Sequence, residues 1–218
     1  MPSPVVAALK LINGVRGLVK PFGIKLPRCS APSFHKRVVD GIPDYLHQAL
    51  IPMLEVVAHL TQKIGRYDRL IEKVCTERYP ETKRLRQVRG VGAITALAYV
   101  LCIEDPSRFD RSRHVGPFVG LVPRQAESGD CKPQLRITKA GDEQLRRLLV
   151  GCAHYILGPF GEDCDLRRYG EMLAKRGGQN ARKRAAVAVA RKLAILLHQL
   201  WVSGKEYQPL RRKLRKTA

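Results

Sequence analysis

PDYLHQALIPMLEVVAHLTQKIGRYDRLIEKVCTERYP, residues 43–80, carries apolar side chains at Leu46, Leu50, Met53, Val57, Leu60, Ile64, Tyr67, Ile71 and Val74, in alternating steps of four and three. Such a stripe, sustained over about four heptads, is the seam of a coiled-coil helix. Pro43 fits a first helical turn, where the missing N–H is not needed. Pro52 falls inside the stripe and is expected to kink the helix or mark its start, because it removes an intrahelical donor. Tyr79-Pro80 closes the segment. The seam suits pairing with a second copy, and equally a long helix packed within its own chain.

Charge sets this segment apart. The 218-residue chain carries 40 Lys and Arg against 19 Asp and Glu, a formal net charge of +21. Residues 43–80 are neutral, whereas residues 1–42 carry +6 and residues 81–218 carry +15. An excess of this size on both flanks points to a polyanionic partner, with nucleic acid ahead of an anionic membrane surface. Aromatic residues make up 6% of the chain, which is lean for a β-sandwich and suits a mainly α protein. The N-terminus lacks a signal-peptide h-region, and no continuous apolar run approaches the 18 or so residues of a membrane span, so a cytoplasmic protein is expected.

Upstream of the stripe, an amphipathic stretch from Val5 to Val19 leads into a turn-rich connector containing Pro21, Gly23, Pro27, Ser30, Pro32 and Ser33. Downstream, glycines separate short helices expected at 82–88, 93–101, 107–119, 140–157, 162–175 and 179–202. Gln134–Ile137 and Val119–Pro123 read as extended. The expected divisions are a basic connector (1–42), a coiled coil (43–80), a compact helical domain (81–210) and a basic tail (211–218).

Six cysteines, Cys29, Cys75, Cys102, Cys131, Cys152 and Cys164, include no CxxC pair, so spacing supports neither a zinc site nor a disulfide framework. Cys152, His154 and Cys164 could be drawn as metal ligands, but buried free thiols explain them more simply.

LRQVRGVGAITALAYVL, residues 85–101, sets a Gly-Val-Gly turn between a short helix and an apolar one. This looks like a helix-hairpin-helix element, whose glycines and helix N-terminus bring backbone N–H groups up to a phosphate. Arg86 and Arg89 add charge beside Gly90 and Gly92. The same glycines also suit plain helix packing. The loop after residue 120 is dense in turn formers and holds Ser128, a turn residue on this evidence alone, with no neighbouring base to activate it. In the last long helix, Arg182, Lys183, Arg184, Arg191 and Lys192 surround an Ala/Val/Leu face, either facing solvent or meeting nucleic acid, while Leu197 and Trp201 belong to a core.

Taken together, LRQVRGVGAITALAYVL, IEDPSRFDRSRHVGPFVGLVPRQAESGD (103–130) and LRITKAGDEQLRRLLVGCAHYILGPFG (135–161) resemble the C-terminal domain of transposases of the insertion sequence 110, 116 and 902 group, relatives of the Piv/MooV invertases. The likeness extends back through the coiled coil to VRGLVKPFGIKLP (15–27). It implies a DNA-binding transposase domain in which Ser128 is the nucleophile for strand cleavage and exchange. It also implies an N-terminal RuvC-like domain whose acidic tetrad holds divalent metal (Mg), and no acidic residue here can be assigned to that tetrad.

On this reading DNA is contacted by Arg86, Arg89, Gly90 and Gly92, by Arg124, Arg136 and Lys139 around the serine loop, and by Arg184 and Arg191. No residue is assigned to a metal and no cofactor is expected in this chain. The family implies an element-encoded guide RNA, and partners would be a second copy through residues 43–80 or a full-length transposase. The rival expectations are a non-catalytic DNA- or RNA-binding remnant that acts as binder or inhibitor, and an RNA-binding scaffold.

Overall fold

A computed structural model describes residues 3–125 and 135–211, which form two compact units, residues 1–72 and 73–218. The division falls inside the long helix and not at 42/43 and 80/81. Ser128, Cys131 and the basic tail beyond Arg211 lie outside the described residues. Among the described residues the protein is mainly α, and β pairing is limited to an isolated antiparallel bridge between Pro123 and Ile137. That bridge joins the two stretches expected to be extended.

In the first unit, α1 (Pro4–Val19) starts at Ser3, whose side chain accepts from the Val6 N–H. Ile12, Val15 and Val19 of α1 pack with Phe34, Val38 and Ile42 against Leu50, Leu54 and Val57 of α3 (Asp44–Glu77). The short helix α2 (Phe34–Arg37) brings in Phe34, and the Arg16 guanidinium lies 4.9 Å over its ring while donating to the Pro27 carbonyl. Residues 1–42 are therefore more than a connector: they cover the first half of the apolar stripe. Pro52 lies within α3, which continues on both sides of it. The exposed proline forfeits one backbone hydrogen bond, a loss offset by burial of Leu50, Leu54 and Val57.

The second unit is built around α9 (Ala181–Ser203), whose Val189, Leu193 and Leu197 are fully buried. Against it pack α5 (Ala93–Ile103), α7 (Glu143–Leu157) and α8 (Asp165–Lys175). By length and hydropathy α9 could cross a membrane, although half of its most apolar window is buried in this core. A run of alanines lets neighbours come close, and Gly170 lets α8 meet α9: a Cβ there would stand 2.7 Å from a Val189 methyl. Tyr99 of α5 donates its hydroxyl to the Ala194 carbonyl of α9 at 2.7 Å.

Between α5 and α7 the expected helix over 107–119 is replaced by two single 3₁₀ turns and the short α6 (Val115–Phe118). Pro117 cannot donate within a continuous helix over this stretch. Buried His198 of α9 holds the segment instead, with one ring nitrogen 2.9 Å from the Pro106 carbonyl and the other 3.0 Å from the Ser112 hydroxyl. The expected starts at 140 and 162 move to 143 and 165, where Asp142 and Cys164 act as N-caps.

Candidate nucleic-acid interface

The short helix α4 (Thr82–Leu85) ends in a tight turn, in which Val88 N–H bonds the Leu85 carbonyl and Val91 N–H the Val88 carbonyl. Gly90 takes φ +94°, open mainly to glycine, and a Cβ on it would stand 2.8 Å from the Tyr155 ring. Gly92 is extended and caps α5 without a side chain, and a Cβ on it would meet only open space. The first N–H groups of α5 thus face an uncrowded end, carrying partial positive charge.

The glycine turn and α7 line an open cavity of about 610 Å³, bordered by Arg86, Arg89, Gly90, Gly92, Arg147 and Tyr155. Four residues expected at a phosphate site are thereby brought together. Arg147 and Tyr155 were missed. The available signal was the spacing of Arg147, Gly151 and Tyr155 by four, which makes a ridge beside the buried face of Leu145, Leu149, Cys152 and Ile156. What the pattern lacked was any sign that this ridge faces the glycine turn. Arg89 also pairs with Glu162 at 2.9 Å, an exposed ion pair that still leaves the groove cationic.

A second group of expected residues lies at the base of the loop that holds Ser128. Arg124 N–H bonds the Arg136 carbonyl at 2.9 Å, and Thr138 N–H bonds the Val122 carbonyl. Lys139, exposed and with φ +58°, donates its N–H to Gly120. Arg124, Arg136 and Lys139 are therefore gathered on the two segments that meet at the Pro123–Ile137 bridge. Buried Arg146 of α7 locks it, donating to the carbonyls of Val119 (3.1 Å) and Ala140 (2.8 Å).

The remaining two candidates stand apart from the groove. Arg184 is exposed near the start of α9. Arg191 is half-buried, its side chain lying across Gly116 of α6 so closely that a Cβ there would be 3.1 Å from Nε.

Cys152 is buried and donates to the Thr95 hydroxyl, while His154, two residues on, is exposed. Burial raises the Cys152 thiol above its ordinary value, with the Thr95 hydrogen bond working the other way. Cys164 caps α8, its sulfur accepting from the Arg167 N–H. Among the described residues no three His, Cys, Asp or Glu side chains converge as a metal site.

Residues 82–160 match the family model "Transposase IS116/IS110/IS902 family". The chain is 30% identical over 206 residues to the transposase for insertion sequence element IS1111A of Coxiella burnetii, covering 91% of this chain and 55% of the relative. It is 31% identical over 154 residues to the transposase for insertion sequence element IS1328 of Yersinia enterocolitica, covering 66% and 44%. A pilin gene-inverting protein of Moraxella bovis is 26% identical over 141 residues, covering 63% of this chain and 42% of that protein. The chain thus spans about half the length of these relatives. Through residues 82–160 it belongs to the IS116/IS110/IS902 transposase family.

Proposed function

We propose that this chain supplies the DNA-binding, serine-bearing part of an enzyme of DNA transposition and site-specific recombination. The observation that carries the reading is the groove between the hairpin and α7, where Arg86, Arg89 and Arg147 surround the glycine turn and the open N-terminus of α5. Such a groove suits the phosphate backbone of DNA. The names of the relatives, two transposases and a gene-inverting protein, agree in class.

In this reading Ser128 is the nucleophile. Its Oγ attacks a backbone phosphorus, the P–O bond to one sugar oxygen breaks, and the proton released by the serine passes to that oxygen. A phosphoserine linkage results, which the second strand later displaces. A serine hydroxyl needs activation to do this. Among the described residues no three His, Cys, Asp or Glu side chains converge, and in this reading activation is supplied by the acidic, Mg-holding domain that the family resemblance implies. The same observation favours a second reading, a non-catalytic DNA- or RNA-binding chain that competes with full-length transposase.

One experiment separates them: the chain is mixed with a serine-dead full-length relative, guide RNA and donor DNA. A covalent protein–DNA adduct that vanishes with Ser128→Ala is the expected result. Absence of adduct under every metal condition, with DNA still bound, overturns the nucleophile assignment and leaves the binder.

A further inference from the structure

Phe160 is the most exposed large apolar side chain among the described residues, with 79% of its surface open to solvent. It stands at the tip of Gly158-Pro159-Phe160-Gly161, the turn after α7, and the fold holds this turn firmly. Nη1 of Arg167 lies 2.9 Å from the Ile156 carbonyl, 2.7 Å from that of Gly158 and 3.0 Å from that of Gly161. Gly161 N–H bonds the Gly158 carbonyl, and a Cβ on Gly161 would overlap the Ile156 carbonyl. Nε of Arg167 is in turn paired with Glu171 at 2.8 Å. A turn braced in this way fixes the ring outward, where it contributes nothing to the core.

The charges next to the ring are mixed, with Asp163 paired to Arg168, and the cationic surface lies beyond them in the arginine-lined groove. Glu162, two residues on, is paired with Arg89 of the hairpin, and Arg89 and Tyr155 border both the hairpin groove and the smaller cavity beneath Gly161 and Glu162. A ligand that reaches both features needs phosphate for the groove and a flat apolar face for the ring. A nucleotide strand with an unstacked base has both.

We propose that Phe160 is a stacking residue that receives one unpaired base of the nucleic-acid strand whose phosphates lie in the hairpin groove. The assignment rests on the groove binding nucleic acid. The ring offers a π-face with no hydrogen-bond donor, so it selects the unstacked state of the strand and not a particular base.

The test uses the full chain and three DNA duplexes of one sequence: fully paired, with one unpaired 2-aminopurine, and with an abasic site at that position. The wild type is expected to bind the unpaired-base duplex about fivefold to a hundredfold more tightly than the abasic one, and to quench the 2-aminopurine. Phe160→Ala, at an exposed position, should remove both effects while leaving affinity for the paired duplex unchanged. Phe160→Trp should keep both. Equal binding of all three duplexes by wild type and Phe160→Ala overturns the proposal. So does a Phe160→Ala effect confined to self-association in sedimentation, which would make the ring a protein contact. The double change Arg89→Ala, Arg147→Ala tests the groove separately: unchanged paired-duplex affinity refutes the groove, whereas quenching still reports on the ring.

Discussion

Gly120 and Gly141 stand at a crossing of two backbone segments, and a Cβ on either would overlap the other segment, at the carbonyl of Ala140 for Gly120 and of Phe118 for Gly141. Both residues have positive φ, +72° and +69°. Strain and overlap act together at each site, so Gly120→Ala and Gly141→Ala should each destabilise the chain by roughly 2–4 kcal/mol. Denaturant midpoints read the effect, and Gly177→Ala, at positive φ but with open space around it, should cost less.

Tyr99 links α5 to α9 from inside the core, and burial, assisted by the charge of Cys102, holds its hydroxyl far above its ordinary value of 10.0. The folded chain therefore keeps a proton that the unfolded chain releases above pH about 10, and stability is full below that pH and falls as pH rises through it. The slope from Tyr99 approaches about 1.4 kcal/mol per pH unit. Tyr207 is shifted the same way, first by burial and then by Cys164, and adds to the loss. Denaturation midpoints measured through this range should decline for the wild type and decline less for Tyr99→Phe.

Arg191 is expected from the sequence to meet nucleic acid and Arg147 is not, yet the two occupy the opposite settings. Arg147 borders the groove, whereas the Arg191 side chain lies across Gly116. Arg147→Ala should weaken DNA binding on all sequences and reduce the slope of log affinity against log salt by about 1. Arg191→Ala should leave that slope unchanged and lower stability by about 1 kcal/mol through lost packing. Titrations at several salt concentrations, paired with denaturation, distinguish the two.

The apolar stripe divides in the same manner. Leu50 and Val57 are buried in the first unit, with Leu54 beside them, while Leu60 and Ile64 are half-buried and Tyr67 is exposed. If a second copy pairs along the helix, it does so through the later part. Ile64→Asp should then shift sedimentation toward monomer with the fold retained, whereas Leu54→Asp should unfold the first unit, a loss visible in circular dichroism.

Much of the helical architecture was legible because a helix needs only local information: apolar spacing, a cap and a stop. α9 follows from its sequence within two residues at each end and α3 within one residue at its start, although α3 stops three residues short of Pro80. The stretch 107–119 departs from the expected helix because its backbone conformation is set by His198, distant in sequence. The glycine turn is legible in the sequence, although nothing in 85–101 announces that α7 forms the other wall of the cavity.

By itself, then, the sequence determined the helical class, the net positive charge and the glycine turn, since each is a property of composition or of neighbours along the chain. Tertiary structure decided that residues 1–42 cover the first half of the α3 stripe, that Arg147 joins Arg86 and Arg89 while Arg191 does not, and that Phe160 faces outward on a turn braced by Arg167. A side chain's role depends on which surfaces exclude water around it. That exclusion is made by segments far apart in sequence, whose meeting no local pattern encodes.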